Sequence, residues 1–157
     1  MKKQNNLIIA IDFDGSLCKH EYPYVGDDIG AVPVLKRIIA AGHRLMLWTM
    51  RGNKPLVNGI DTLAEAVNWF KNNDIPLWGI NENPDQKASG WTNSNKQHAD
   101  LFIDDAALGA YLKQDYMHMG NGTDIEQPSL VTNGRPYLDW DKIETKLENM
   151  GIIPTKF

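Results

Sequence analysis

Two carboxylates one residue apart, Asp12 and Asp14, follow directly on the apolar run Leu7–Ile11 and precede Gly15 and Ser16. A second acidic pair, Asp104-Asp105, follows the apolar triplet Leu101-Phe102-Ile103. Between them lie Thr49, Met50 and Arg51, at the end of the apolar stretch RLMLW, and Lys96 on a polar stretch leading to the second pair. An ionised carboxylate away from water is costly unless it is paired or holds a metal. Acids at the ends of core strands therefore point to a site. Four crowded carboxylates repel one another, and a hard divalent cation relieves that repulsion. Oxygen ligands of this kind favour Mg²⁺, which also holds substrate phosphate. Asp12 is suited to attack phosphorus as a covalent nucleophile. Asp14 faces the other side of the strand at first, but a turn at Gly15 can return its carboxylate towards a leaving group. The Thr49 hydroxyl and the Lys96 ammonium suit phosphoryl oxygens. Phosphoryl transfer needs mainly such positioning and charge stabilisation.

The elements that must position these groups can be read along the chain. Leu7–Ile11 reads as a strand buried on both faces. Residues 17–30 mix Pro, Gly, polar and aromatic residues without a period, which predicts a loop or flap over the strand end. Val32, Leu35, Ile38 and Ile39 mark a helical face, with Pro33 in its first turn and Gly42 at its end. Arg44–Trp48 is a second strand, and residues 52–60 a loop. Thr62 and Glu65 form a capping box for a second helix, striped by Leu63, Ala66, Val67 and Phe70 and ending before Pro76. Pro76–Ile80 is a short third strand. Residues 81–98 read as one long polar loop, of the kind that often carries function. Leu101–Ile103 is a fourth strand, and Ala106–Lys113 a short helix. Residues 116–128 look irregular. Asn133-Gly134, between SLVT and RPYL, signals a hairpin turn. Ile143, Leu147 and Met150 mark a last helix closed by Gly151. Alternating strands and helices predict an α/β fold with a mostly parallel sheet. Right-handed crossovers place the C-terminal ends of the first, second and fourth strands on one edge, where open α/β sheets bind ligands.

Composition narrows the setting. A chain of 157 residues predicts one domain with a real core. Net charge is −4, and no basic block argues for nucleic-acid binding by charge alone. The single cysteine, Cys18, rules out an internal disulfide and fits a reducing compartment. The apolar run after MKKQNN is too short for a signal peptide or a membrane span, so a cytoplasmic protein without membrane contact is expected.

The motifs Asp12-Phe13-Asp14-Gly15-Ser16, Thr49 in LMLWTMR, Lys96 in NKQHADLFIDD and Asp104-Asp105 occur in order, each at its expected strand end. In this the sequence resembles the haloacid dehalogenase superfamily of aspartate-nucleophile phosphohydrolases, over roughly residues 7–112. The resemblance implies a Rossmann-like three-layer α/β sandwich with a mostly parallel central sheet. The gaps at 17–43 and 50–95 read as filled by a flap, ordinary core elements and a loop, so no large cap domain is expected. The chain thus resembles the small capless branch, including bacterial and phage hydrolases with a YPxxG flap, here Tyr22–Gly26. It would form a single domain over 1–157, with a C-terminal extension at 114–157. Carried over residue by residue, Asp12 would form the aspartyl-phosphate. Asp14 would protonate the leaving oxygen and then deprotonate water. Lys96 would neutralise the developing charge. Ser16, Thr49, Met50, Arg51 and Lys96 would bind the phosphoryl group. Asp12, the backbone carbonyl of Asp14, Asp104 and Asp105 would hold Mg²⁺. Ser16 stands where Thr is common, and Ala106 where many relatives place Arg.

The implied activity is a Mg²⁺-dependent phosphomonoesterase acting on a small phosphorylated metabolite or nucleotide. A nucleic-acid end phosphatase is a variant that the acidic net charge disfavours. A receiver-like or non-catalytic phosphate-binding module is a second class, disfavoured by motif order and by the presence of both Asp12 and Asp14. Nucleic acid and a second copy of the chain stay open as partners. Plainer readings exist for several residues. Lys87 rivals Lys96, Arg51 could instead pair with an acid, and Asp27-Asp28 is a solvated pair. His43 is structural, and Cys18 is a packing residue. His20 and His98 lie near the expected site mouth. Tyr22, Tyr24 and Trp91 would stack on a nucleobase or pack on their own scaffold.

Overall fold

The computed structural model describes residues 6–115, 122–124 and 135–157. In chain order the elements are β1 (Ile8–Ile11), α1 (Ala31–Ala40), β2 (Arg44–Leu47), α2 (Thr62–Asn72), β3 (Gly79–Ile80), α3 (Pro84–Ser89), β4 (Leu101–Ile103), β5 (Leu112–Asp115), β6 (Gly122–Asp124), β7 (Tyr137–Leu138) and α4 (Trp140–Asn149). The first four strands form one sheet in the order β3-β2-β1-β4, every pairing parallel. The mixed α/β fold with a parallel central sheet is thus as expected from the alternation of elements.

Side chains of a strand alternate between faces, and two clusters follow from this. Ile9, Ile11, Leu45 and Leu47 join the main core with Leu35 and Ile38 of α1, Ala66 and Phe70 of α2, and Ile143 and Leu147 of α4. Ile8, Ala10 and Met46 form a smaller cluster with half-buried Trp48, Trp78 and Ala99. Arg44 lies in register with Ile8 on this second side. Its guanidinium stacks on Trp78 at 4.2 Å and pairs with Asp85 of α3 at 3.5 Å.

Several local expectations are corrected. The α1 face in the core is Ala31, Val34, Leu35 and Ile38, with Val32 and Ile39 at its margin. Asp61, not Thr62, caps α2, accepting from the Ala64 N–H at 2.8 Å. Thr62 is already helical and its hydroxyl donates to the Gly52 carbonyl. Two cap-forming residues in a row left the position ambiguous by one. The third strand shrinks to Gly79–Ile80, since Pro76 brings no N–H to a ladder. The long polar loop contains α3, started by the Asn83 cap and Pro84 and stopped by Gly90 at φ 61°. Ala106–Lys113 is no helix. Turns run to Gly109 (φ 83°), after which β5 opens a second sheet, order β6-β5-β7, with antiparallel pairings. Asn133 and Gly134 lie outside the described residues.

The C-terminal segment is built into the fold around the first acidic motif. The Leu138 N–H donates to the Gly15 carbonyl and the Trp140 indole to the Ser16 carbonyl, both at 2.8 Å. Asp139 caps α4, and Arg37 of α1 binds Glu144 and Glu148 on it. His43 is structural, as expected: Nδ1 accepts from the Leu7 N–H and Nε2 donates to the Ile152 carbonyl. Among the described residues, no helix is long and apolar enough to cross a membrane.

Candidate active site

Hydrogen bonds that continue past the strands align their ends. The Asp12 N–H donates to the Ile103 carbonyl and the Trp48 N–H to the Ile11 carbonyl. The residues that follow β1, β2 and β4 thereby share one edge of the sheet. Asp12, Asp104 and Asp105 each offer a carboxylate oxygen there, all within 4.8 Å of one another. Hard oxygens at this spacing suit a divalent cation such as Mg²⁺. Burial pushes the Asp12 carboxyl up to about 7, with Asp104 and Asp105 adding repulsion against the opposing Phe13 N–H and Ser16 hydroxyl. Burial alone would also raise Asp105, but the His20 hydrogen bond and charge, a hydrogen bond with Asp12 and the Arg135 charge outweigh it. Asp105 therefore sits below the usual carboxylate range.

Ser16 takes a different place from that of a phosphate ligand. It is fully buried, donates to Asp12 Oδ2 at 2.9 Å and accepts from the Asp105 N–H at 3.0 Å. It ties Asp12 to the second acidic pair. His20 Nε2 meets Asp105 Oδ2 at 2.8 Å, crossing directly over Gly15. A Cβ on Gly15 would fall 2.0 Å from that Nε2, and the backbone there has φ 79°, so only glycine fits. His20 was expected near the site mouth; its pairing with Asp105 had no signal in the sequence.

Thr49 and Met50 leave an opening. The Thr49 N–H donates to Asn81 Oδ1 at 2.7 Å, and Thr49 Oγ1 accepts from the Arg51 N–H at 3.1 Å. Asn81 itself continues the β2 ladder through the Leu47 carbonyl. Among the described residues, the Thr49 hydroxyl proton has no acceptor and the Met50 N–H makes no hydrogen bond. Two such donors on adjacent residues can take one anionic oxygen each. Asn81 was missed because a lone Asn in a polar stretch carries no distinguishing pattern.

The Asp14 carboxylate is not in the acidic cluster. Both its oxygens accept from Arg51, from Nε and Nη2, each at 2.7 Å. Arg51 is 2% exposed, and its remaining donors reach the carbonyls of Pro23, Tyr24 and Thr62. The expectation that Arg51 binds phosphate is therefore corrected. All its donors already have protein acceptors, and it sits beneath the flap with no exposed face. Lys96 is on the surface of the loop after α3, and its ammonium makes no ion pair among the described residues. Its backbone is held from within the fold. Gln86 Nε2 donates to the Lys96 carbonyl, and Gln86 Oε1 accepts from the His98 N–H. Asn83 Nδ2 donates to the His98 carbonyl. Lys87, the rival lysine, pairs with Glu82. Cys18 is buried, and Trp91 stacks edge-on with His98.

No protein-family model matches the chain, and none of the curated proteins does. Among solved structures it is similar to a conserved protein from Bacteroides thetaiotaomicron, with 36% identity and a TM-score of 0.56. The match covers 67% of this chain and 80% of that one. The chain belongs to the family of that conserved Bacteroides protein.

Proposed function

We propose that the protein is a divalent-metal-dependent phosphomonoester hydrolase of the haloacid dehalogenase type. In this reading the sheet is the centre of a three-layer Rossmann-like core without a large cap, α3 and its loop forming the layer opposite the other helices. The observation that carries the reading is the edge where three carboxylate oxygens gather within 4.8 Å. Beside them on the same edge stand, among the described residues, an unused hydroxyl proton at Thr49 and an unused N–H at Met50. Asp12, Asp104, Asp105 and the Asp14 carbonyl would hold Mg²⁺. The raised Asp12 carboxyl supports this, because a cation offsets both the burial and the neighbouring Asp104 and Asp105 charges that raise it. Bound there, the ion supplies charge neutralisation for a phosphate.

The chain's own groups do the rest. Thr49 and Met50 orient the phosphoryl oxygens. An Asp12 oxygen forms a bond to phosphorus as the bond to the leaving oxygen breaks, and Asp14, protonated on an oxygen turned out of its Arg51 fork, gives the leaving oxygen its proton. Water then attacks phosphorus and passes its proton to Asp14. The Asp12–phosphorus bond breaks, which frees phosphate and restores both acids. Lys96 would offset charge from its loop. The substrate class is a small phosphorylated metabolite or nucleotide in the cytoplasm.

The test is phosphate release from an aryl phosphate with and without Mg²⁺, by wild type and Asp12→Asn. Metal-dependent release that Asp12→Asn abolishes in a folded protein supports the reading. Release that survives the substitution removes Asp12 as nucleophile. Wild type inert to aryl phosphates and to a panel of nucleotides and sugar phosphates removes the hydrolase reading.

A further inference from the structure

We infer that Arg51 is a positioning residue that couples the flap over the site to the Asp14 carboxylate. The inference rests on the hydrolase reading above and names the device that sets its acid/base. A guanidinium has five N–H donors in a rigid plane. Here each has an acceptor. Nε and one Nη2 proton hold the two Asp14 oxygens as a fork, both at 2.7 Å. The other Nη2 proton reaches the Tyr24 carbonyl at 2.7 Å. Nη1 reaches Pro23 at 3.1 Å and Thr62 at 3.3 Å. The plane is flanked by the Phe13 ring at 4.9 Å and the Tyr22 ring at 5.3 Å. One buried cation thus joins the turn after β1, the flap and the start of α2.

The flap tip, Tyr22–Gly26, has few other polar ties, whereas Lys19 and His20 at the flap base pair with Asp115 and Asp105. The Tyr24 N–H bonds within it, to the Glu21 carbonyl. Its base is closed by Lys19 N–H to Asp27, with Gly26 so close to the Lys19 carbonyl that a Cβ would lie 2.1 Å from it. Among the described residues, the hydrogen bonds from Pro23 and Tyr24 to the rest of the chain run through Arg51. Moving those carbonyls removes two acceptors from the same rigid plane that holds Asp14. Displacing Asp14 in turn frees two donors in a buried place, where an unpaired charge is costly. The flap position and the Asp14 orientation are therefore one variable. A substrate that presses on Tyr22 or Tyr24 acts on Asp14 through Arg51.

The test compares wild type, Arg51→Gln, Arg51→Lys, Asp14→Asn and the Asp14→Asn/Arg51→Gln double variant, all with Mg²⁺. The two esters are phenyl phosphate and 2,4-dinitrophenyl phosphate, which differ in how much their leaving oxygen needs a proton. Arg51→Gln should lower kcat on phenyl phosphate by about a hundredfold, within the range of a general acid's contribution. On the dinitrophenyl ester it should lower kcat only a few-fold, with KM little changed on either. The double variant should be no slower than Asp14→Asn alone. Amide exchange at residues 22–26 should speed up in Arg51→Gln. Should that variant fail to fold, Arg51→Lys keeps the charge without the fork and should show the same ester dependence. Equal losses on both esters, a raised KM at constant kcat, or additive losses in the double variant would overturn the inference while leaving wild type active. Wild type inert to both esters would instead overturn the hydrolase reading and this inference with it.

Discussion

The Trp140 indole N–H donates to the Ser16 carbonyl at 2.8 Å, 124 residues away in the sequence. Ser16 is the residue whose hydroxyl links Asp12 to the Asp105 backbone. The last helix thus holds the first acidic motif from behind, and the Leu138 bond to Gly15 adds a second hold one residue away.

Trp140→Phe keeps an aromatic ring but leaves the Ser16 carbonyl buried without its donor. An orphaned buried acceptor costs about 1–3 kcal/mol, and the smaller ring adds a packing loss. The expected result is a lower urea midpoint at an unchanged slope, with stability reduced by about 2–3 kcal/mol. An unchanged midpoint would mean that the carbonyl finds another partner and the hold is dispensable.

How far the sequence discloses this site can be judged residue by residue. Asp12, Thr49, Asp104 and Asp105 were legible because each directly follows an apolar run, and a parallel sheet places such ends together. Ser16 and Arg51 were legible as types but not in their roles. A hydroxyl and a cation beside paired carboxylates suggest ligands, whereas burial turns both into internal ties. Nothing local to Arg51 indicates that its acceptors come from positions 14, 23, 24 and 62. The six residues of α3 are polar and have no stripe, so only the Asn83-Pro84 start could have announced it. Asn83 and Gln86 then hold the loop that carries Lys96, a function that polar residues in a polar stretch do not advertise.

Cys18 lies four residues from Asp14 yet should behave as an inert thiol. Burial pushes it up to about 11, with the negative charges of Asp14 and Asp12 adding to this against the Gly26 N–H and the Arg51 charge. A thiol held above its ordinary value of 9.0 is protonated at neutral pH in the folded state. Its contribution to stability is fully present below pH 9 and is lost as pH rises towards 11. The shift corresponds to a ceiling of about 3 kcal/mol. Iodoacetamide at pH 8 should label the unfolded chain and spare the native one. Cys18→Ala should flatten the stability loss between pH 9 and 11. Rapid labelling of native protein would show that the thiol is reachable, against its burial.

Asp12→Asn tests whether the acidic cluster is strained without a cation. The folded Asp12 carboxyl is raised from 3.8 to about 7, so its sign is that of a destabilising charge. The favourable, protonated state is complete below pH 4 and is lost as pH rises through 7. At pH 8 in a chelator the ionised group therefore weighs against the fold, with a ceiling of about 4 kcal/mol. Asn keeps the shape and an oxygen for the Ser16 hydroxyl, and removes the charge. Under those conditions Asp12→Asn should melt higher than wild type, and the gap should close towards pH 4. Adding Mg²⁺ at pH 8 should raise the wild-type Tm in proportion to the logarithm of its concentration. It should move the variant far less, because one of three crowded carboxylates is gone. A variant that melts lower than wild type at pH 8 in chelator would mean that the Asp12 charge is already compensated in the metal-free fold. A wild-type Tm indifferent to Mg²⁺ would remove the cation from the site.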